Sequence, residues 1–154
     1  VKALGESLGS SKNMTSVDLS FSACGGVGDD GVQALCEGLG SLQTLTSVAL
    51  NFFWCKNSDV GVTALGEGLG SLKNLTNLCL RYDVCKVGDD GVTALSAGLR
   101  SLKNLTSVDL SFFECEELGN DGVKALGDGL GSLENLASVV LRFYVCEVGD
   151  DGVT

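Results

Sequence analysis

The sequence has no histidine, no proline and a single methionine. Without histidine, Ser-His and Cys-His nucleophile pairs are impossible within the chain, and so are His-ligated metal sites. Basic residues are scarce: ten Lys and Arg against twenty Asp and Glu leave a formal charge of −10. That balance argues against nucleic acid or an anionic membrane as the partner, since both reward Lys and Arg. No apolar run reaches the length of about 18 residues that would span a bilayer as a helix. The chain begins at Val1 and its only methionine is Met14. The expectation is a piece of a longer or processed protein, with any targeting segment out of view.

What is present is a chain of 154 residues, 44% apolar, enough for one domain with a real core. Its 22 glycines are about twice the usual share. Internal repetition explains both. Val1, Val32, Val62, Val92, Val123 and Val153 recur at intervals of 31, 30, 30, 31 and 30 residues. The third unit reads VTALGEGLGSLKNLTNLCLRYDVCKVGDDG and the fifth VKALGDGLGSLENLASVVLRFYVCEVGDDG. The length difference falls between a Cys and the next Gly-Val, where a loop is expected. The domain is therefore read as five units, 1–31, 32–61, 62–91, 92–122 and 123–152, plus the start of a sixth.

Within each unit the apolar period changes once. Val62, Leu65, Leu69 and Leu72 form a helical stripe, repeated as Val32/Leu35/Leu39/Leu42, Val92/Leu95/Leu99/Leu102 and Val123/Leu126/Leu130/Leu133. Asp29/Asp30, Asp89/Asp90 and Asp121 precede these stripes, where a carboxylate can accept the free N–H groups of a helix start. Gly66, Gly68 and Gly70 weaken the helix by roughly 1 kcal/mol each relative to Ala, so it holds only when packed on neighbours. The period then becomes two: Val48, Leu50 and Phe52 alternate with Ser47, Ala49 and Asn51, the pattern of a half-buried strand. One such unit cannot close a core, but stacked units can, with a parallel sheet on one side and helices on the other.

The segments LTSVDLS (105–111) and VGDDGVTALSAGL (87–99) resemble leucine-rich repeats of the ribonuclease-inhibitor type, found also in cytosolic innate-immune receptors. The resemblance recurs five times and implies an α/β solenoid: a right-handed βα superhelix with its parallel sheet on the concave face and helices on the convex face. The unit is two or three residues longer than that family's usual repeat. A Cys stands where Asn or Cys usually ends the strand. The extra residues are expected to lengthen the strand by one alternation and turn an aromatic ring inward. Ser11 and Met14 replace Leu in the first unit. Both ends are expected to expose apolar rungs, so end-to-end self-association is a possible interaction.

Stacking the units lets the chain be compared with itself. Leu19/Leu50/Leu80/Leu110/Leu141 and Phe21/Phe52/Tyr82/Phe112/Phe143 hardly vary and read as core. The column Cys24/Cys55/Cys85/Cys115/Cys146 reads as reduced thiols tying down the backbone where the strand turns, because their side chains point the same way in every rung. Seven cysteines, an odd number, fit a reducing compartment. Of the two outside the column, Cys36 falls on the helix and Cys79 on the open sheet, where Arg81 could lower its pKa.

Four columns on the outward face change while the framework stays fixed: Asp18/Ala49/Cys79/Asp109/Val140, Ser20/Asn51/Arg81/Ser111/Arg142, Ser22/Phe53/Asp83/Phe113/Tyr144 and Ala23/Trp54/Val84/Glu114/Val145. By contrast Ser16/Ser47/Asn77/Ser107/Ser138 barely changes. The variable set is rich in the aromatic and Arg anchors of binding hot spots. The candidate partner-binding residues are therefore Asn51, Phe53, Trp54, Cys79, Arg81, Asp83, Asp109, Phe113, Glu114, Arg142 and Tyr144. The expected function is recognition of a protein or peptide through the concave sheet, in the cytoplasm, with no cofactor, no metal and no catalysis. Alternatives are a GTPase-activator-like regulator, for which Arg81 or Arg142 would supply the cation, and a purely structural scaffold.

Other signals carry less. The GDDG runs at 28–31, 88–91 and 149–152 suggest calcium by composition but fall at helix starts, which favours capping. GEGLG (66–70) lacks the Lys-Ser/Thr of a phosphate loop. Asn13, Asn74 and Asn104 begin glycosylation sequons that descend from one repeat element, leaving a secreted protein as the minority reading.

Overall fold

The strand alternation described above becomes an element five times and the helical stripe six, the last of four residues. The computed structural model describes residues 1–153. In chain order these are α1 (Lys2–Leu8), β1 (Ser16–Ser20), α2 (Asp29–Gly40), β2 (Ser47–Asn51), α3 (Asp59–Gly70), β3 (Asn77–Arg81), α4 (Asp89–Leu99), β4 (Ser107–Ser111), α5 (Asn120–Gly131), β5 (Ser138–Arg142) and α6 (Asp150–Val153). The strands form one parallel sheet in the order β1-β2-β3-β4-β5. Its register matches the sequence columns residue for residue, with Leu19, Leu50, Leu80, Leu110 and Leu141 opposite one another. Each helix packs on the next, and the inward strand residues share a single core with the helical stripes. Beyond β5 the rung is open: Val139 is 47% and Val140 38% exposed. Of the expected start of a sixth unit, Thr154 lies outside the described residues.

The longer repeat does what the alternation suggests. Pairing continues past each strand, with the Phe21 N–H donating to Asn51 O at 2.8 Å and the Tyr82 N–H to Ser111 O at 2.9 Å. The next side chain then faces inward, and Phe21, Phe52, Tyr82, Phe112 and Phe143 stack at ring-centroid distances of 5.6, 5.0, 6.4 and 5.9 Å. Tyr82 is the polar member of this column. It is fully buried and its hydroxyl has no partner among the described residues. Tyr82→Phe removes that unpaired group and is expected to raise stability by about 1 kcal/mol; a lower thermal midpoint would contradict this.

Side chains tie each unit to the one before it. Thr76 and Thr106 hydroxyls donate to Thr46 O and Thr76 O at 2.9 and 3.0 Å. The amides of Asn74, Asn104 and Asn135 each reach the preceding backbone at 2.8 Å, so two of the three sequon asparagines are engaged within the array. The cysteine column acts as expected: Cys55, Cys85, Cys115 and Cys146 donate to the aromatic residue's carbonyl one unit back, at 3.1, 3.2, 2.8 and 2.8 Å.

All seven cysteines are free, and Cys24 is the exposed one. Burial pushes the Cys36 thiol up to about 12, with the Glu37 charge adding to it. Burial likewise raises Cys85 to about 11 and Cys115 to about 12. These folded values lie above the ordinary 9.0, so the neutral thiols stabilise the fold fully below that pH. The contribution is lost as pH rises through 11 to 12. A thiol reagent at mild alkaline pH is expected to modify Cys24 first, and the buried Cys55, Cys85 and Cys115 only after unfolding. Simultaneous labelling of Cys24 and Cys115 in the native chain would contradict this.

Two expectations need correction. The acidic residues at the helix starts do not cap their own helices. Asp29 accepts from the Ser58 and Gly61 N–H groups at 2.9 and 3.1 Å, and Asp89 from those of Gly119 and Gly122 at 2.8 and 2.9 Å. The first residue of α2, α3 and α4, Asp29, Asp59 and Asp89, therefore caps the helix that follows, and Asn120 does the same from α5. Only Ser58, among the described caps, accepts from within its own helix. This explains the glycine of the third helical position: a Cβ on Gly91 would lie 2.5 Å from Asp59 Oδ1.

The second correction concerns Ala23, Trp54, Val84, Glu114 and Val145, expected on the outward face of the strand. They have φ of 59, 53, 58, 54 and 57°. The chain leaves the sheet at this point and must turn toward the helix, and a left-handed residue makes that turn. For β-branched Val84 and Val145 the conformation costs roughly 1–2 kcal/mol.

Candidate functional site

The open face of the sheet is built from alternate strand residues, because the intervening ones are committed to the core. Toward β3, β4 and β5 it carries charge. Asp109 sits between two guanidiniums, with Arg81 Nη2 3.9 Å from one carboxylate oxygen and Arg142 Nη1 hydrogen-bonded to the other. The three side chains are about one-third exposed, at 36% for Arg81, 30% for Asp109 and 35% for Arg142.

Cys79 shares the Asp109 column and does not become a reactive thiol. Burial raises its pKa and Asp109 adds to the rise, outweighing the opposing charges of Arg81 and Arg142. Arg81 does pull it down, as expected, but burial and the Asp109 charge outweigh that pull.

Along the edge where the strands end, two further candidates are occupied within the fold. Asp83 Oδ1 accepts from Ser111 Oγ at 2.6 Å and from the Phe113 N–H at 3.0 Å. Asn51 Oδ1 accepts from the Phe53 N–H at 2.9 Å. Both hold the strand end in place and leave the neighbouring rings to face outward. Phe53 is 39% and Tyr144 61% exposed, and Phe113 and Tyr144 meet at 6.4 Å with their rings tilted by 55°.

The structure thus brings together Cys79, Arg81, Asp109 and Arg142 as one charged patch, with Asn51, Phe53, Asp83, Phe113 and Tyr144 along its edge. Trp54 and Glu114 are exposed but sit on the left-handed turns beyond the strands. One feature escapes the column argument as applied to the strands. A cavity of about 660 Å³ at the turns of the second and third units is lined by Trp54, Lys56, Asn57, Val84 and Lys86 among others. Its signal lay in the loop columns, where Asn57 stands among Val27, Val87, Leu118 and Val148.

Residues 10–36 match a family model described as Leucine Rich repeat. No curated protein matches the chain. Among solved structures, leiomodin-1 actin-binding site 2 (ABS2) is similar at a TM-score of 0.67 and 18% identity, covering 90% of this chain and 77% of the other. With alternating strands and helices on a parallel five-stranded sheet, the fold is an α/β leucine-rich-repeat solenoid. Among the described residues no helix is long and apolar enough to cross a membrane.

Proposed function

We propose that the open, concave face of the sheet recognises a protein or peptide partner. One observation carries this reading. The positions that vary between otherwise uniform units collect exposed aromatic rings and a two-arginine patch on one face, and these are the residue types of binding hot spots. A solvent-facing sheet with no partner has no physical need for Phe53 and Tyr144 there. The likeness in fold to an actin-binding site of leiomodin-1 supports a binding role and makes purified actin a defined first partner to try. The ribonuclease-inhibitor type of repeat and a cytoplasmic setting are part of the same proposal, and the unpaired thiols support the latter.

The test compares the chain with an Arg81→Ala/Arg142→Ala/Tyr144→Ala variant whose far-UV circular dichroism is unchanged, in cosedimentation with actin and in capture from lysate with the captured protein identified. Binding by the first and a loss of at least tenfold in the variant is expected, on the order of 2 kcal/mol or more for anchors of this kind. Equal capture by both overturns the reading. A GTPase-activating role is disfavoured because Arg81 and Arg142, its two candidate cations, are both engaged by Asp109. A scaffold with no partner would leave the variant indistinguishable.

A further inference from the structure

The second unit departs from the other four at several neighbouring positions. Asn57 replaces the Val or Leu of that column, and Ser58 stands where the others have Gly28, Gly88, Gly119 and Gly149. Trp54, the only tryptophan, occupies the left-handed turn position. Independent drift would scatter such departures, yet these three residues line the same cavity of about 660 Å³. That volume lies within the range of small-molecule sites.

Asn57 is the residue that points to a ligand. Its side chain is 1% exposed, and neither Nδ2 nor Oδ1 has a hydrogen-bond partner among the described residues. Its backbone carbonyl is in use, accepting from the Lys86 N–H at 3.1 Å, so the unmet demand belongs to the amide alone. A buried amide left unpaired at both ends costs stability, and the remaining four units avoid it with an apolar residue. Next to it, Lys56 and Lys86 occupy one column in adjacent units, and neither forms an ion pair among the described residues. Two adjacent ammonium groups outside any ion pair attract an anion, opposed on the Lys86 side by Glu114, Glu116 and Glu117, which line the next cavity with it. Ala23, Val84 and the exposed Trp54 supply an apolar wall.

We propose that this cavity binds a small aromatic anion, with its ring against Trp54 and Val84, its charged group between Lys56 and Lys86, and a polar edge paired with the Asn57 amide. The amide atoms are buried beneath the cavity lining, so binding has to open that lining to reach them. Carboxylates and phosphate esters share the chemistry the site asks for. The site stands apart from the open sheet face and does not depend on its function.

Because Trp54 is the only tryptophan, its fluorescence reports on the site in the intact chain. Titration with benzoate, with phenyl phosphate and with uncharged benzyl alcohol separates the cases. A saturable change is expected with one or both anions, half-complete on the order of 1 mM for molecules this small. A response to benzoate alone identifies a carboxylate site and to phenyl phosphate alone a phosphate-ester site. Lys56→Gln/Lys86→Gln and, separately, Asn57→Val are expected to weaken binding at least about tenfold. Asn57→Val installs the residue type of its own column, so it is expected to raise the thermal midpoint while it removes binding. The proposal is overturned by no saturable response to either anion, by an equal response to benzyl alcohol, or by variants that bind as the parent does. A lower midpoint in Asn57→Val would also overturn it, since a buried water would then be holding the amide.

Discussion

Gly98→Ala is expected to destabilise the 154-residue chain by about 2 kcal/mol, although alanine is the better helix former. A Cβ at this position in α4 would lie 2.1 Å from the carbonyl oxygen of Gly66 and 2.6 Å from its carbonyl carbon. Both are backbone atoms of α3 and cannot swing aside as a side chain could. The whole of α4 would have to retreat, drawing Leu95 and Leu99, which are completely buried, away from the core. The same substitution in the next helix has the opposite sign. Nothing lies within 4 Å of a Cβ on Gly127, so Gly127→Ala gains about 1 kcal/mol of helix propensity and unfolded-state entropy without a clash. Urea unfolding of both variants should move the midpoint in opposite directions. If Gly98→Ala stabilises as much as Gly127→Ala, close helix packing is not what keeps glycine in that column.

These glycines show where reading the sequence reaches its limit. Their regularity is visible in the columns, and their helix-weakening effect follows from propensity. What they permit is a distance between helices, which no single unit contains. The same holds for Asp29 and Asp89. A carboxylate next to a helix start is legible as a cap, but which helix it caps depends on the offset between stacked units. The left-handed column was hidden for a different reason. Ala, Trp, Val, Glu and Val are not residues that advertise a positive φ, and the turn is imposed by the ladder on one side and the core on the other.

Within the five-residue strands the register was legible, because one slipped residue would turn every inward Leu to solvent; how the longer repeat leaves the strand was not. With the register known, the Arg81–Asp109–Arg142 cluster was within reach, since the three side chains occupy adjacent outward columns on neighbouring strands. Asn57 was legible too, as one polar residue in an apolar column, but only if loop columns are weighed as heavily as strand columns.

Asp89→Ala is expected to have the other large effect, a loss of roughly 3 kcal/mol. Asp89 Oδ1 accepts the N–H groups of both Gly119 and Gly122, at the start of α5, where no residue of that helix supplies a side-chain cap. Alanine leaves two helix-terminal donors without a partner, and Gly122 is buried away from water that could replace it. Asp89→Asn separates geometry from charge. Asn120 holds the equivalent position one unit later and accepts from the Gly149 N–H at 2.7 Å, so an amide oxygen fits there. The asparagine variant should keep the hydrogen bonds and lose mainly the attraction of a carboxylate for the helix N-terminus, about 1 kcal/mol. In a solenoid each unit leans only on its neighbours, so the damage from Asp89→Ala should be local as well as large. Hydrogen exchange is expected to accelerate first in α5 and β5, with α2 and β2 still protected. Uniform acceleration along the chain would mean that the five units unfold as one body and that the cap is not the joint between α4 and α5.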